Sequence, residues 1–298
     1  MKKIYWILAL IALAFVGDRI GGLILKKGAE SSQFRYSRLY NGSANAEILL
    51  VGNSRGLIFY QPYVEEITGK NTFNTSYNGM PIDLSHVFVD DYLQKYDKIE
   101  KMVLDITMCD RINDQLIAGF NLYTPYSKRL SKLIQTKQET MYNGAKFSHL
   151  FRYNGEIFLR ALKYTVGGDD EDWLTDRVMN DYLTQNVVNE EPYYLDYKQR
   201  KDKDVDSLYI LKELALLVEN AKSKGVEVHL VVNPYYPPFA DKITNLDSLK
   251  MEVEALTGVK VKDYSKAITD PKGYSDYQHL NKYGSRLYLD LLKADGVL

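Results

Sequence analysis

At 298 residues the chain is long enough to bury a sizeable core, as one large α/β domain with an insertion or as two smaller domains, and too long for a small stapled module. Its 38 lysines and arginines against 39 acidic residues give a formal net charge of −1, which implies no bulk attraction to an anionic bilayer and argues against a nucleic-acid partner. The single cysteine, Cys109, excludes an intramolecular disulfide and a cysteine-built zinc site, and is expected as a small buried apolar residue.

The chain opens with Lys2 and Lys3, followed by an apolar run over residues 4–16. After the interruption Gly17-Asp18-Arg19 apolar character resumes to Leu25, and Lys26 and Lys27 follow. As a helix, residues 4–25 reach about 33 Å, enough to cross a bilayer with Asp18 and Arg19 near the far interface. Residues 1–27 therefore read as an uncleaved signal anchor, in preference to a cleaved signal peptide with Ala12-Leu13-Ala14 as its small-residue pattern. Either reading places the remainder outside the cytoplasm, and localises an anchored chain to the cytoplasmic membrane as a single-pass protein. Residues 28–45 are polar and short of aliphatic side chains, as in a juxtamembrane linker.

An α/β domain is expected over residues 46–298. The aliphatic run at 46–51 predicts a buried parallel strand that stops at Gly52-Asn53-Ser54-Arg55-Gly56, with a helix to about Thr68. Residues 71–77 predict a second strand closed by Asn78-Gly79, and Pro81 opens a helix to about Tyr96. Residues 101–106 predict a third. From Thr107 the pattern changes: tyrosine, asparagine and charge dominate to residue 205, which predicts a largely helical insertion or cap. Its acidic stretch Asp169-Asp170-Glu171-Asp172 lacks EF-hand spacing and reads as a solvated loop. An amphipathic helix from Asp206 to Lys224, a strand over 226–234, a helix before Gly258, a short strand at 259–261 and a helix over 281–293 complete the chain. Strands alternating with helices predict an open parallel sheet with helices on both faces, three layers in all.

In such sheets ligands bind at the carboxyl ends of the strands, and three of those ends carry chemistry. The first presents Ser54 between two glycines, expected to let the backbone bend sharply and expose the hydroxyl. The second presents Asn78 and Gly79, where a glycine N–H can approach an oxyanion. Ahead of the final helix stands Ser275-Asp276-Tyr277-Gln278-His279-Leu280-Asn281. A serine hydroxyl becomes nucleophilic when an imidazole takes its proton, and a carboxylate on the second ring nitrogen fixes the tautomer. Asp276 and His279, three apart in a turn, suit that pairing, and the N–H groups of Ser54 and Gly79 with a side-chain amide suit an oxyanion hole. Arg55 is expected in a surface or salt-bridge role. No histidine pair has metal-ligand spacing, and no phosphate-loop or Gly-x-Gly-x-x-Gly string occurs, so neither a metal nor a nucleotide cofactor is expected.

An aliphatic strand running into Gly-Asn-Ser-Arg, then Phe73-Asn74-Thr75-Ser76-Tyr77-Asn78-Gly79, then Asp276-x-x-His279-Leu-Asn-x-x-Gly resembles the SGNH (GDSL-like) hydrolase superfamily over residues 46–106 and 206–298. The resemblance implies five parallel strands in flavodoxin-like order, Ser54 as nucleophile, Gly79 as an oxyanion donor, and Asp276 with His279 completing the triad. The anchored layout is similar to cell-envelope members such as the alginate acetylation proteins. Two departures stand out. Asn53 replaces the usual aspartate of Gly-Asp-Ser, and Asp105-Ile106-Thr107-Met108 stands where Gly-x-Asn-Asp is usual, leaving the asparagine donor to Asn78 or Asn113. The expected function is an extracytoplasmic serine esterase or O-acyltransferase acting on acyl, foremost acetyl, groups of a cell-envelope glycan, for whose groove the 25 tyrosines are suited. The alternative is a catalytically inactive scaffold in an envelope acylation or polysaccharide-export complex.

Overall fold

The computed structural model describes residues 2–110, 112–189, 191–198 and 208–298. The expected end of the insertion at residue 205 and the expected helix start at Asp206 lie outside the described residues. The chain forms two compact units. A helical unit combines Met1–Ala44 with Asp114–Asp170, and a sheet unit combines Asn45–Asn113 with Glu171–Leu298.

The sheet unit is built on β1 (Ile48–Val51), β2 (Thr72–Asn74), β3 (Lys101–Asp105), β4 (Glu227–Val232) and β5 (Val261–Asp263), all parallel, in the order β2-β1-β3-β4-β5. This is the flavodoxin-like order that the resemblance implies. Leu49 pairs in register with Met102 and Leu104 with Leu230, so the central strands stack aliphatic residues that are covered on both faces. That double covering is why β1 reads as Ile-Leu-Leu-Val, with every residue buried, and not as an alternating pattern.

Strand order fixes the layers. The chain moves outward from β1 to β2 and then reverses to β3, and right-handed crossovers in opposite directions put their helices on opposite faces. Gln61–Thr68 packs with the final helix Lys282–Ala294, whereas Ile82–Lys95 packs with Tyr209–Ser223, which in turn contacts Leu246–Thr257. Reversal beside β1 opens a crevice at the carboxyl ends of β1 and β3, where side chains and ligands have room.

The helical unit contains helices Lys2–Glu30, Arg35–Asn41, Asp114–Gly119, Lys128–Lys137, Glu139–Phe147 and Glu156–Lys163. The first is long and apolar enough to cross a membrane. The stretch at 28–45 is not an open linker: it continues the first helix to Glu30 and then forms a second helix, with Phe34, Tyr36 and Leu39 fully buried. Its polarity misleads because the polar residues are themselves partnered. Arg35 lies 4% exposed and meets the Asp170 carboxylate at 2.8 Å. Asp170, expected in a solvated loop, is therefore a buried ion-pair partner. The segment grouped with the N-terminal helices runs from Asp114 to Asp170, narrower than residues 107–205, because Ile106–Asp110 is a buried 3₁₀ turn after β3 and the described residues from Glu171 onward belong to the sheet unit.

Candidate active site

Ser54 begins a 3₁₀ turn, Ser54–Ile58, directly after β1. Asn53 caps that turn by accepting a hydrogen bond from the Arg55 N–H at 2.9 Å through its side-chain oxygen. Only an acceptor is used there, so the asparagine does what an aspartate would do. The flanking glycines serve close packing and not a left-handed turn: neither Gly52 nor Gly56 has positive φ. A Cβ on Gly52 would lie 2.7 Å from the Gly56 Cα, and a Cβ on Gly56 would collide with the Ser76 side chain.

His279 arrives from the loop that precedes the last helix. Its Nε2 lies 3.0 Å from the Ser54 Oγ, across 225 residues of sequence. Its Nδ1 lies 3.0 Å from each carboxylate oxygen of Asp276. Asp276 also accepts hydrogen bonds from the backbone N–H groups of Gln278 at 2.8 Å and His279 at 2.9 Å, which closes the loop into a rigid turn. Burial pushes the Asp276 carboxyl up, but the His279 hydrogen bond and charge and the two backbone donors outweigh it, leaving the pKa below its ordinary 3.8. The loop is anchored on its far side by Asn281, which caps Lys282–Ala294 at the Gly284 N–H (3.0 Å) and donates to the Lys272 carbonyl at 2.7 Å.

The second strand end supplies the facing wall. Met80 N–H donates to the Tyr77 carbonyl at 3.1 Å, closing a turn in which Gly79 takes φ +68°, the value that a type II turn requires at its third residue. Among the described residues the N–H groups of Ser54 and Gly79 make no backbone hydrogen bond. Asn78 and Gly79 line the same cavity as Ser54, Asp276 and His279. Asn113 stands beside them, its amide donating to the Gly79 carbonyl at 3.0 Å. Both asparagines proposed for the missing donor therefore reach the neighbourhood of Gly79, whereas Asp105, at the position of the usual motif, does not serve as one.

Asp105 is instead fully buried, bonded to the Thr107 N–H and hydroxyl at 3.1 and 2.8 Å. Burial raises its carboxyl above the ordinary range against the pull of Arg55 and Thr107. Arg55, expected at the surface or in an ion pair, lies 3% exposed, with its Nε 3.7 Å from Asp105. Its guanidinium donates to the Thr107 hydroxyl at 3.0 Å, to the carbonyls of Asn233 and Pro234 after β4, and to the Gln278 carbonyl at 2.8 Å, while stacking on the Tyr235 ring. One side chain thus ties three strand ends to the residue that precedes His279. Sequence reasoning missed this, although Asn233-Pro234 at the end of an aliphatic run was a signal that the fourth strand end faces the site.

The cavity encloses about 420 Å³ and has apolar walls from Leu57, Ile58, Leu174 and Leu280. Trp173, half-buried, forms part of the rim and packs edge-on against Tyr77 at 5.3 Å. Sequence gave no reason to place residues 173–175 here. They are held by contacts made only in the folded chain: Lys282 N–H to the Thr175 carbonyl at 3.0 Å, and the Lys282 ammonium to Asp172 at 2.6 Å.

A hydroxyl, an imidazole and a carboxylate bonded in series at the carboxyl ends of a doubly wound parallel sheet have the arrangement found in serine-hydrolase triads. No family model matches the sequence, and no curated protein matches it significantly. Solved structures do resemble it. A provisionally assigned acylhydrolase from Bacteroides fragilis is 13% identical, with 83% of this chain and 85% of that one covered and a TM-score of 0.41. A GDSL-like lipase from Bacteroides thetaiotaomicron is 12% identical, with 84% and 88% covered and a TM-score of 0.39. A provisionally assigned platelet activating factor from Streptococcus pneumonia is 13% identical over 99% of both chains, with a TM-score of 0.43.

Proposed function

We propose that the chain is a membrane-anchored, extracytoplasmic serine esterase or O-acyltransferase of the GDSL-like (SGNH) type, acting on acyl groups, foremost acetyl, of a cell-envelope glycan. The observation that carries this reading is the 3.0 Å approach of the Ser54 Oγ to the His279 Nε2, with Asp276 holding the other ring nitrogen. In the first step the Ser54 oxygen attacks the ester carbonyl as its proton passes to Nε2. Charge that develops on the carbonyl oxygen meets the N–H groups of Ser54 and Gly79, with Asn78 in the same cavity wall and Asn113 bonded to the Gly79 carbonyl as the side-chain amides nearest to them. Removing one such donor commonly costs a hundred- to thousandfold in kcat, roughly 3–4 kcal/mol. When the tetrahedral intermediate collapses, the C–O bond to the glycan breaks and Nε2 returns the proton to the leaving alkoxide. The acyl-serine that remains is then attacked by water in an esterase, or by another sugar hydroxyl in a transferase. In the transferase case the ester opened in the first step is that of an acyl donor supplied by a partner in an envelope acylation complex, and the donor's carrier, not the glycan, takes the proton from Nε2 and leaves.

Apolar walls close to the nucleophile suit a short acyl chain, and the Trp173 ring at the rim suits the apolar face of a sugar. The triad geometry supports the enzyme over the inactive scaffold, since each triad atom has the partner that chemistry requires. The full-length protein in detergent, offered p-nitrophenyl esters of increasing chain length beside an O-acetylated glycan, is expected to release acetate from both acetyl substrates and to lose activity as the acyl chain lengthens. Turnover confined to long-chain esters would contradict the glycan reading while leaving the triad intact.

A further inference from the structure

We propose that the helical unit docks into an anionic membrane surface through an apolar face formed by Phe147, Leu150, Leu159, Leu162 and Val166, continuous with its own first helix. The proposal rests on the reading that this helix crosses the bilayer, and it follows from a shortfall in length. Residues 4–17 are exposed all round and amount to about 21 Å of helix, whereas a hydrocarbon core is about 30 Å thick. Completing the span requires roughly six further residues, to about Leu23 or Ile24. Within that continuation Ile20, Leu23 and Ile24 are apolar and 54–66% exposed, as lipid-facing residues are.

The other side of that same stretch is bound to the unit. The Asp18 carboxylate accepts hydrogen bonds from the Ser148 hydroxyl at 2.5 Å and from the backbone N–H groups of His149 and Leu150 at 2.9 and 3.0 Å. Arg19 donates to the Phe147 carbonyl at 3.1 Å. Gly21 and Gly22 lie so close to Leu150 and His149 that a Cβ at either position would collide. Asp18 and Arg19 also pair with each other at 3.5 Å, so both charges are partnered and hydrogen-bonded inside an otherwise apolar run, which lowers the cost of bringing them into the bilayer. Wherever Asp18 goes, residues 147–150 go with it.

Two segments held along the first helix carry apolar, uncovered residues: 147–150 at Asp18, and 159–166, where the Thr165 hydroxyl donates to the Gly28 carbonyl at 3.2 Å. Phe147 is 86% exposed, Val166 92%, and Leu159 and Leu162 stand three apart on the outer face of Glu156–Lys163. Basic residues flank them, with Lys146 beside Phe147 and Lys163 beside Leu162. Beyond the span, residues 26–44 and 114–170 of the unit hold 12 lysines and arginines against 6 acidic residues, a net +6, whereas the sheet unit holds 23 against 32, a net −9. Exposed apolar side chains with lysines next to them, in a unit of net positive charge, match the composition of segments that lie in an anionic lipid interface.

The test uses full-length protein in vesicles of phosphatidylglycerol and phosphatidylcholine, with one nitroxide at a time on Leu10→Cys, Phe147→Cys, Val166→Cys or, as a solvent reference in the sheet unit, Met251→Cys. The native Cys109 is buried. Collisions with oxygen, which concentrates in lipid, are compared with collisions with a water-soluble nickel chelate. Labels at 10, 147 and 166 are expected to favour oxygen and exclude nickel, and the label at 251 to admit nickel. Nickel access at 147 and 166 with a shielded label at 10 would overturn the docking surface while preserving the span. Nickel access at 10 as well would remove the span and the proposal with it. Poor access to both reagents at 147 and 166 would mean that protein, not lipid, covers the face, and would equally overturn it.

Discussion

Among single residues, Asp276 has the clearest measurable consequence. Its carboxylate holds the His279 ring nitrogen, and on the proposed mechanism it stabilises the imidazolium that forms during attack, so Asp276→Asn is expected to lower kcat about 10⁴-fold with little change in KM, read from ester hydrolysis. The same carboxyl links pH to stability. Its folded pKa lies below the ordinary 3.8, so the ionised form stabilises the fold, fully above the unfolded value, and that contribution is lost as pH falls through the lower folded value. Urea titrations are therefore expected to show Asp276→Asn less stable than the native chain at pH 7, with the gap narrowing below the ordinary carboxylate range. Equal gaps at both pH values would contradict the assignment of the shift. Ser54, Asp276 and His279 were legible in the sequence because each ends or follows a recognisable element and carries chemistry in its own side chain. Arg55 was not, since its partners are backbone carbonyls of residues 233, 234 and 278, whose closeness to residue 55 exists only after folding.

The sheet was legible element by element for one physical reason: strands covered on both faces must be aliphatic throughout, and 48–51, 101–105 and 227–232 contain such runs. Helix ends at Gly69 and Gly258 were marked by glycines in the left-handed conformation. The helix Arg35–Asn41 was hidden, because seven residues carry little periodicity and its burial depends on Asp170, far along the chain. The final helix also shows how an element positions the site. Gly284 in its first turn packs against the backbone of Gly273, at the base of the loop that bears Asp276 and His279, and a Cβ there would overlap the Gly273 carbonyl. Gly284→Ala is expected to push helix and loop apart, lowering thermal stability by the roughly 1–3 kcal/mol typical of overpacking and lowering kcat more than it raises KM. An unchanged kcat in a destabilised protein would show that the helix does not govern the triad.

For the molecule as a whole, balance in the total conceals division between the parts. The net charge of −1 argued against attraction to an anionic bilayer, yet it is the sum of a cationic unit built on the apolar N-terminal helix and an anionic unit that carries the triad. No count over the full sequence exposes this, because residues 114–170 join the first 44 only in the fold. All of the proposed chemistry depends on Ser54 being a nucleophile activated by His279. Intact-mass analysis of the full-length protein after treatment with a fluorophosphonate tests this most directly. A single covalent adduct on Ser54, absent from Ser54→Ala and strongly slowed in His279→Ala, is the predicted result, and no adduct on a folded native chain would contradict it.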